Sequence, residues 1–65
     1  MQSDYSFLVY FQKEKVIANS FLLRKGFSQE DIDSMVEKGY IQVCNVNFDE
    51  RKYIITEKGI KRRDY

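Results

Sequence analysis

Sixty-five residues with 43% apolar and 15% aromatic side chains make a chain too hydrophobic to stay disordered and short enough for one domain. Burial on folding is incomplete at this length, so the expected stability is small, on the order of 5 kcal/mol or less. One cysteine and no histidine exclude an internal disulfide and leave no credible zinc set or histidine-based catalysis, while a net charge of +1 does not by itself mark a nucleic-acid binder.

In chain order, Ser3 and Asp4 offer cap oxygens to a first helix running to about Lys13, with Phe7, Leu8 and Phe11 on one face. Alternation of Tyr5, Phe7, Val9 and Phe11 makes a strand the competing reading. Either way the segment carries more apolar side chains than one small core covers. The surplus, Tyr5, Val9 and Tyr10, is a candidate dimer or partner surface. After Val16 and Ile17, the pair Asn19-Ser20 is placed to cap a second short helix with Phe21, Leu22 and Leu23, closed at Gly26. Ser28 opens a third helix with Asp31 in the position of a capping-box acid; Ile32, Met35 and Val36 form its inner face and Gly39 its left-handed stop.

The stretch from Gly39 to Gly59 predicts a hairpin. Its arms are Tyr40 to Val46 and Lys52 to Thr56, around the polar turn from Asn47 to Arg51, and alternation turns Ile41, Val43, Tyr53 and Ile55 inward. Cys44 is expected to be a buried or half-buried strand residue without chemistry. A lone hairpin is marginal in water, so it must pack on the helices, which predicts a small α+β fold. Thr56 can cap a last helical turn in which Gly59 allows close backbone approach, and Lys61, Arg62 and Arg63 form a basic tail.

Charge is segregated by element. Residues 1 to 27 carry +2 (Lys13, Lys15, Arg24 and Lys25 against Asp4 and Glu14), residues 28 to 38 carry −3 (Lys38 against Glu30, Asp31, Asp33 and Glu37), and the remainder +2. No apolar run reaches the roughly 20 residues of a membrane-spanning helix and no signal-peptide pattern opens the chain, so a cytoplasmic setting without membrane contact is expected.

Helix, short helix, helix and hairpin, with MVEKGYI leading into a hairpin that ends YIITEKGI, resembles the winged helix-turn-helix domain of prokaryotic transcriptional regulators of the multiple-antibiotic-resistance and phenolic-acid-regulator kind. The likeness covers residues 28 to 60 and extends to the first half only through element order. It implies three helices, a two-stranded antiparallel wing and a short C-terminal helical turn, with the third helix in the major groove of duplex DNA. Gln29, Ser34 and Lys38 would then be its contacts, Arg51 and Lys52 would sit at the wing tip, and Arg24, Lys25, Lys61, Arg62 and Arg63 would hold phosphates. The acidic stripe Glu30, Asp33 and Glu37 departs from that pattern, because it would face a surface dense in phosphates. The rival reading is a protein-interaction module using that stripe or the aromatic first helix. No nucleophile motif or phosphate loop supports an enzyme, and no cofactor is implied.

Overall fold

The computed structural model describes residues 4–46 and 50–64. Among the described residues there are four helices and a three-stranded antiparallel sheet, so the α+β expectation holds with one strand more than the sequence suggested.

The first helix, α1, covers Asp4–Leu8, five residues rather than the ten expected. Past Leu8 the backbone tightens to i→i+3 bonds, Tyr10 N–H to the Phe7 carbonyl and Phe11 N–H to that of Leu8, the latter at 2.9 Å. The expected inner face survives the shortening: Phe7, Leu8 and Phe11 are all buried, and Phe7 stacks on Phe11 with ring centroids 5.7 Å apart. Glu14, at φ 67°, then turns the chain through the left-handed region.

Where the sequence suggested only a helix lead-in, Ile17–Ala18 forms a strand, β1. Two residues carry no readable alternation; what defines the strand is a partner far along the chain, with Ile17 opposite Tyr53 and Ala18 opposite Lys52. The second helix, α2 (Asn19–Arg24), starts directly from it. Its cap position is Ala18, with no side-chain cap, so the capping role expected of Asn19-Ser20 is not realised. A distant carboxylate serves instead: Glu50 Oε2 accepts from the Ser20 backbone N–H at 3.1 Å. Phe27 N–H closes the C-terminal end on the Leu22 carbonyl at 3.2 Å, and Phe27, a core residue outside the predicted set, packs edge-on to Phe7 at 4.8 Å.

The third helix, α3 (Gln29–Glu37), is built as its sequence predicts. Ser28 Oγ accepts from Asp31 N–H at 3.1 Å and Asp31 Oδ2 accepts from Ser28 N–H at 3.0 Å, a full capping box with Asp in the place of Glu. Ile32 and Met35 are buried and Val36 is packed against the core. Gly39, at φ 82°, permits the reversal in which Gly39 N–H reaches the Val36 carbonyl and Tyr40 N–H that of Met35.

Strands β2 (Ile41–Val46) and β3 (Arg51–Ile55) form the hairpin, and β3 lies at the centre of the order β1-β3-β2. Of the predicted turn, residues 47–49 lie outside the described residues. Arg51 belongs to β3 opposite Val46, and Lys52 is flanked by Asn45 and Ala18, so Lys52 is a mid-sheet residue and not a wing-tip one. The register shifts between Val43 and Asn45, and Cys44 is exposed there, contrary to the expected burial. The inward set otherwise holds: Ile41, Tyr53 and Ile55 are buried and Val43 packs against the core.

The predicted last turn is a full helix, α4 (Glu57–Asp64). Thr56 Oγ1 accepts from Gly59 N–H at 3.0 Å and donates towards the Gly39 and Tyr40 carbonyls, joining the start of α4 to the end of α3. Gly59 rests directly on the Tyr40 carbonyl, where a Cβ would overlap the oxygen.

Gly59→Ala should therefore destabilise the protein by at least about 2 kcal/mol, since neither backbone can yield cheaply. Ile32→Ala and Ile55→Ala should each cost about 2 to 5 kcal/mol. Urea denaturation measures all three, and losses under about 0.5 kcal/mol, the range of ordinary surface substitutions, would contradict this packing.

Candidate functional site

A polar junction forms where the starts of α2, α3 and β3 meet. Tyr53 is fully buried, but its hydroxyl reaches the junction and donates to Asn19 Oδ1 at 2.9 Å. Asn19 Nδ2 donates to Gln29 Oε1 at 2.9 Å, and Gln29 Nε2 donates to Asn19 Oδ1 at 3.3 Å and to Asp33 Oδ1 at 3.1 Å. Asn19, Gln29, Asp33, Glu50 and Arg51 line an open cleft between the acidic helix and the hairpin. Two carboxylates and one guanidinium give it a mixed polarity.

This geometry sorts the residues expected to meet DNA. Gln29 spends both amide hydrogens within the protein, so it donates to an external group only by giving up bonds to Asn19 or Asp33. Ser34 is half-buried rather than outward, because it lies between the buried positions Ile32 and Met35. Lys38 is drawn to Asp4, its Nζ 3.6 Å from Oδ1, while Arg62 Nε lies 3.1 Å from Oδ2 of the same carboxylate. Asp4 thus ties the end of α3 and the last turn of α4 to the start of α1.

Arg63 Nη1 donates to the Phe11 carbonyl at 2.7 Å, closing the backbone just past α1. The Arg63 guanidinium also holds the Asp64 carboxyl below the usual carboxylate range, chiefly through a 2.8 Å hydrogen bond. The basic tail is therefore largely a clasp between α1 and α4, not a free arm.

Lys25 is committed differently, with its ammonium 5.2 Å from the Phe21 ring centroid and 5.9 Å from that of Tyr10. Among the described residues, no carboxylate is ion-paired with Arg24, Arg51, Lys52 or Lys61. Glu30, Asp33 and Glu37 are exposed along α3, as the rival reading requires. Tyr5, Val9 and Tyr10 are exposed too, at 57%, 46% and 36%, so the aromatic surplus does reach solvent. No helix among the described residues is long and apolar enough to cross a membrane.

Asn19, Glu50, Tyr53 and Asp4 were missed as site-forming residues. Each has its partner at least 10 positions away, and the local signals point elsewhere, Asp4 and Asn19 to helix caps and Tyr53 to the core. No family model, curated protein or solved structure matches the chain.

Asp4→Asn should test the clasp, because it removes the charge that both Lys38 and Arg62 approach. With the cationic partners about half exposed, the loss should be at most about 1 kcal/mol at low ionic strength. It should shrink towards zero near 1 M salt, where the screening length is only about 3 Å. Thermal melts at the two salt concentrations measure this; a salt-independent loss would assign Asp4 a packing role instead. The Asp64 contribution is present above the unfolded carboxyl pKa and fades as pH falls through the lowered folded value.

Proposed function

We propose that this α+β domain is a winged helix that binds duplex DNA, acting as a small transcriptional regulator. The observation that carries the reading is the chain path: a capped helix with a solvent-facing side, α3, runs into an antiparallel hairpin whose second arm opens on Arg51 beside the helix start. The order α1-β1-α2-α3-β2-β3 with sheet order β1-β3-β2 supports it, since the added strand joins β3 directly to the start of α2.

Contacts in this reading fall to Arg24, Arg51, Lys52 and Lys61, expected DNA contacts that have no carboxylate ion-pair partner among the described residues. The tail arginines and Lys38 serve the α1 clasp. A Gln29 whose amide hydrogens are both engaged, beside an acidic helix face, favours backbone contact over base readout. The DNA affinity should accordingly be modest, with little sequence preference.

The second reading, an interaction module for a basic protein surface, is favoured by one observation: Glu30, Asp33 and Glu37 all face solvent on α3. On that reading the helix recognises cations directly, and the hairpin only supports it.

Fluorescence titration of a labelled duplex at about 50 mM and 200 mM salt separates the two, because each phosphate contact contributes a slope near −0.9 in log affinity against log salt. Arg51→Ala should lower that slope by about one. Arg62→Ala should leave it unchanged, because that side chain is already engaged by Asp4. Glu30→Gln with Glu37→Gln should strengthen binding by withdrawing two repulsive charges. A wild-type chain that ignores duplex at 50 mM salt, with the Gln pair equally inert, would overturn the DNA reading in favour of the interaction module.

A further inference from the structure

A second surface shares none of the residues that line the α3 cleft. Tyr10, Val16, Ile17, Ala18 and Phe21 line a shallow, mainly apolar groove with Lys15 at its lip. Val16 is 48% exposed and Tyr10 36%, large for apolar side chains on so small a protein. The turn that leads into the groove is specified, with Lys15 N–H bonded to the Gln12 carbonyl at 2.9 Å and Glu14 held in the left-handed region. A non-glycine residue costs energy in that conformation, so the presentation of Lys15 and Val16 is imposed by the surrounding structure.

Two features define what fits. Among the described residues β1 is an edge strand, hydrogen-bonded to β3 on one side, so an extended segment can lie along its other side. The groove's charge is positive: Lys15 stands at the lip, Lys25 lies over the Phe21 and Tyr10 rings, and Arg24 is one turn from Phe21 on α2. None of the three is ion-paired with a carboxylate among the described residues. Bases of single-stranded nucleic acid would need the ring faces, and Lys25 already lies over those of Phe21 and Tyr10.

We infer that this groove docks an extended acidic-hydrophobic segment of a partner protein. An aliphatic or aromatic side chain of the segment sits between Tyr10 and Val16, and carboxylates flank it to meet Lys15, Arg24 and Lys25. This inference uses the opposite side of β1 from β3 and no residue of the cleft, and shares only Arg24 with the DNA reading.

The test is a nitrogen–proton correlation titration of the full chain with a short synthetic peptide in which Leu and Phe alternate with Asp and Glu. The peptide should shift the amides of Lys15 to Ala18 and Phe21. Lys15→Glu should weaken it at least about tenfold, because a like charge then faces the ligand, and Val16→Ser should weaken it comparably. Both residues are exposed, so each variant should keep the wild-type thermal midpoint, which distinguishes lost docking from lost folding. Four results would overturn the inference: no shift at these amides, equal binding of a Lys-for-acid peptide, stronger binding of oligothymidine at the same amides, or self-association that covers them without peptide.

Discussion

Tyr53 is the side chain on which both the core and the polar junction depend. It lies in the central strand, between Ile17 of β1 and Val43 of β2, and no part of it is measurably exposed. A buried phenol is favourable as hydrophobic area but costly if its hydroxyl has no partner, so the ring position and the Asn19 bond are specified together. The consequence passes outward: Asn19 is oriented by Tyr53, Gln29 by Asn19, and the start of α3 is thereby set relative to the sheet. Because its carboxamide is spent here, Asn19 does not cap α2, and Glu50, just before β3, accepts from the Ser20 N–H instead. Core and cleft are one hydrogen-bonded unit.

Charge is divided along the same lines. The acids that close α3 and α2, Asp31 and Glu50, work at helix N-termini, where a carboxylate stabilises unpaired N–H groups. Asp4 gathers Lys38 and Arg62, and Arg63 is spent on the Phe11 carbonyl and Asp64. The molecule uses much of its basic tail to hold a five-residue helix in place, which so short a helix requires, since isolated helices of that length do not persist in water. The two surfaces proposed for partners, the α3 cleft and the β1 groove, differ in polarity.

What could be read from the sequence was what local rules determine. The Ser28 box, the apolar spacing of Ile32 and Met35, the Gly39 reversal and the alternation of Tyr53 and Ile55 each need only neighbours within four positions. Gly59 was also legible as a point of close approach, although the Tyr40 carbonyl it meets was not. What escaped depended on distant partners. β1 exists because Tyr53 and Lys52 lie opposite it; α1 stops at Leu8 because the following turn keeps Phe11 in the core; Cys44 is exposed where the strand register shifts. The basic cluster at Lys61 to Arg63 was visible as composition, but its role as a clasp needed Asp4 and Phe11, more than fifty residues away.

The coupling of core to cleft through one hydroxyl is tested most directly in Tyr53→Phe, which keeps the ring and removes the donor. The measurement is the side-chain amide spectrum of Asn19 and Gln29. The predicted result is a clear displacement of both amide pairs while the backbone amides of Ile32 and Ile41 stay in place. Amide positions for Asn19 and Gln29 identical to wild type would contradict the account, because the cleft would then be held without Tyr53.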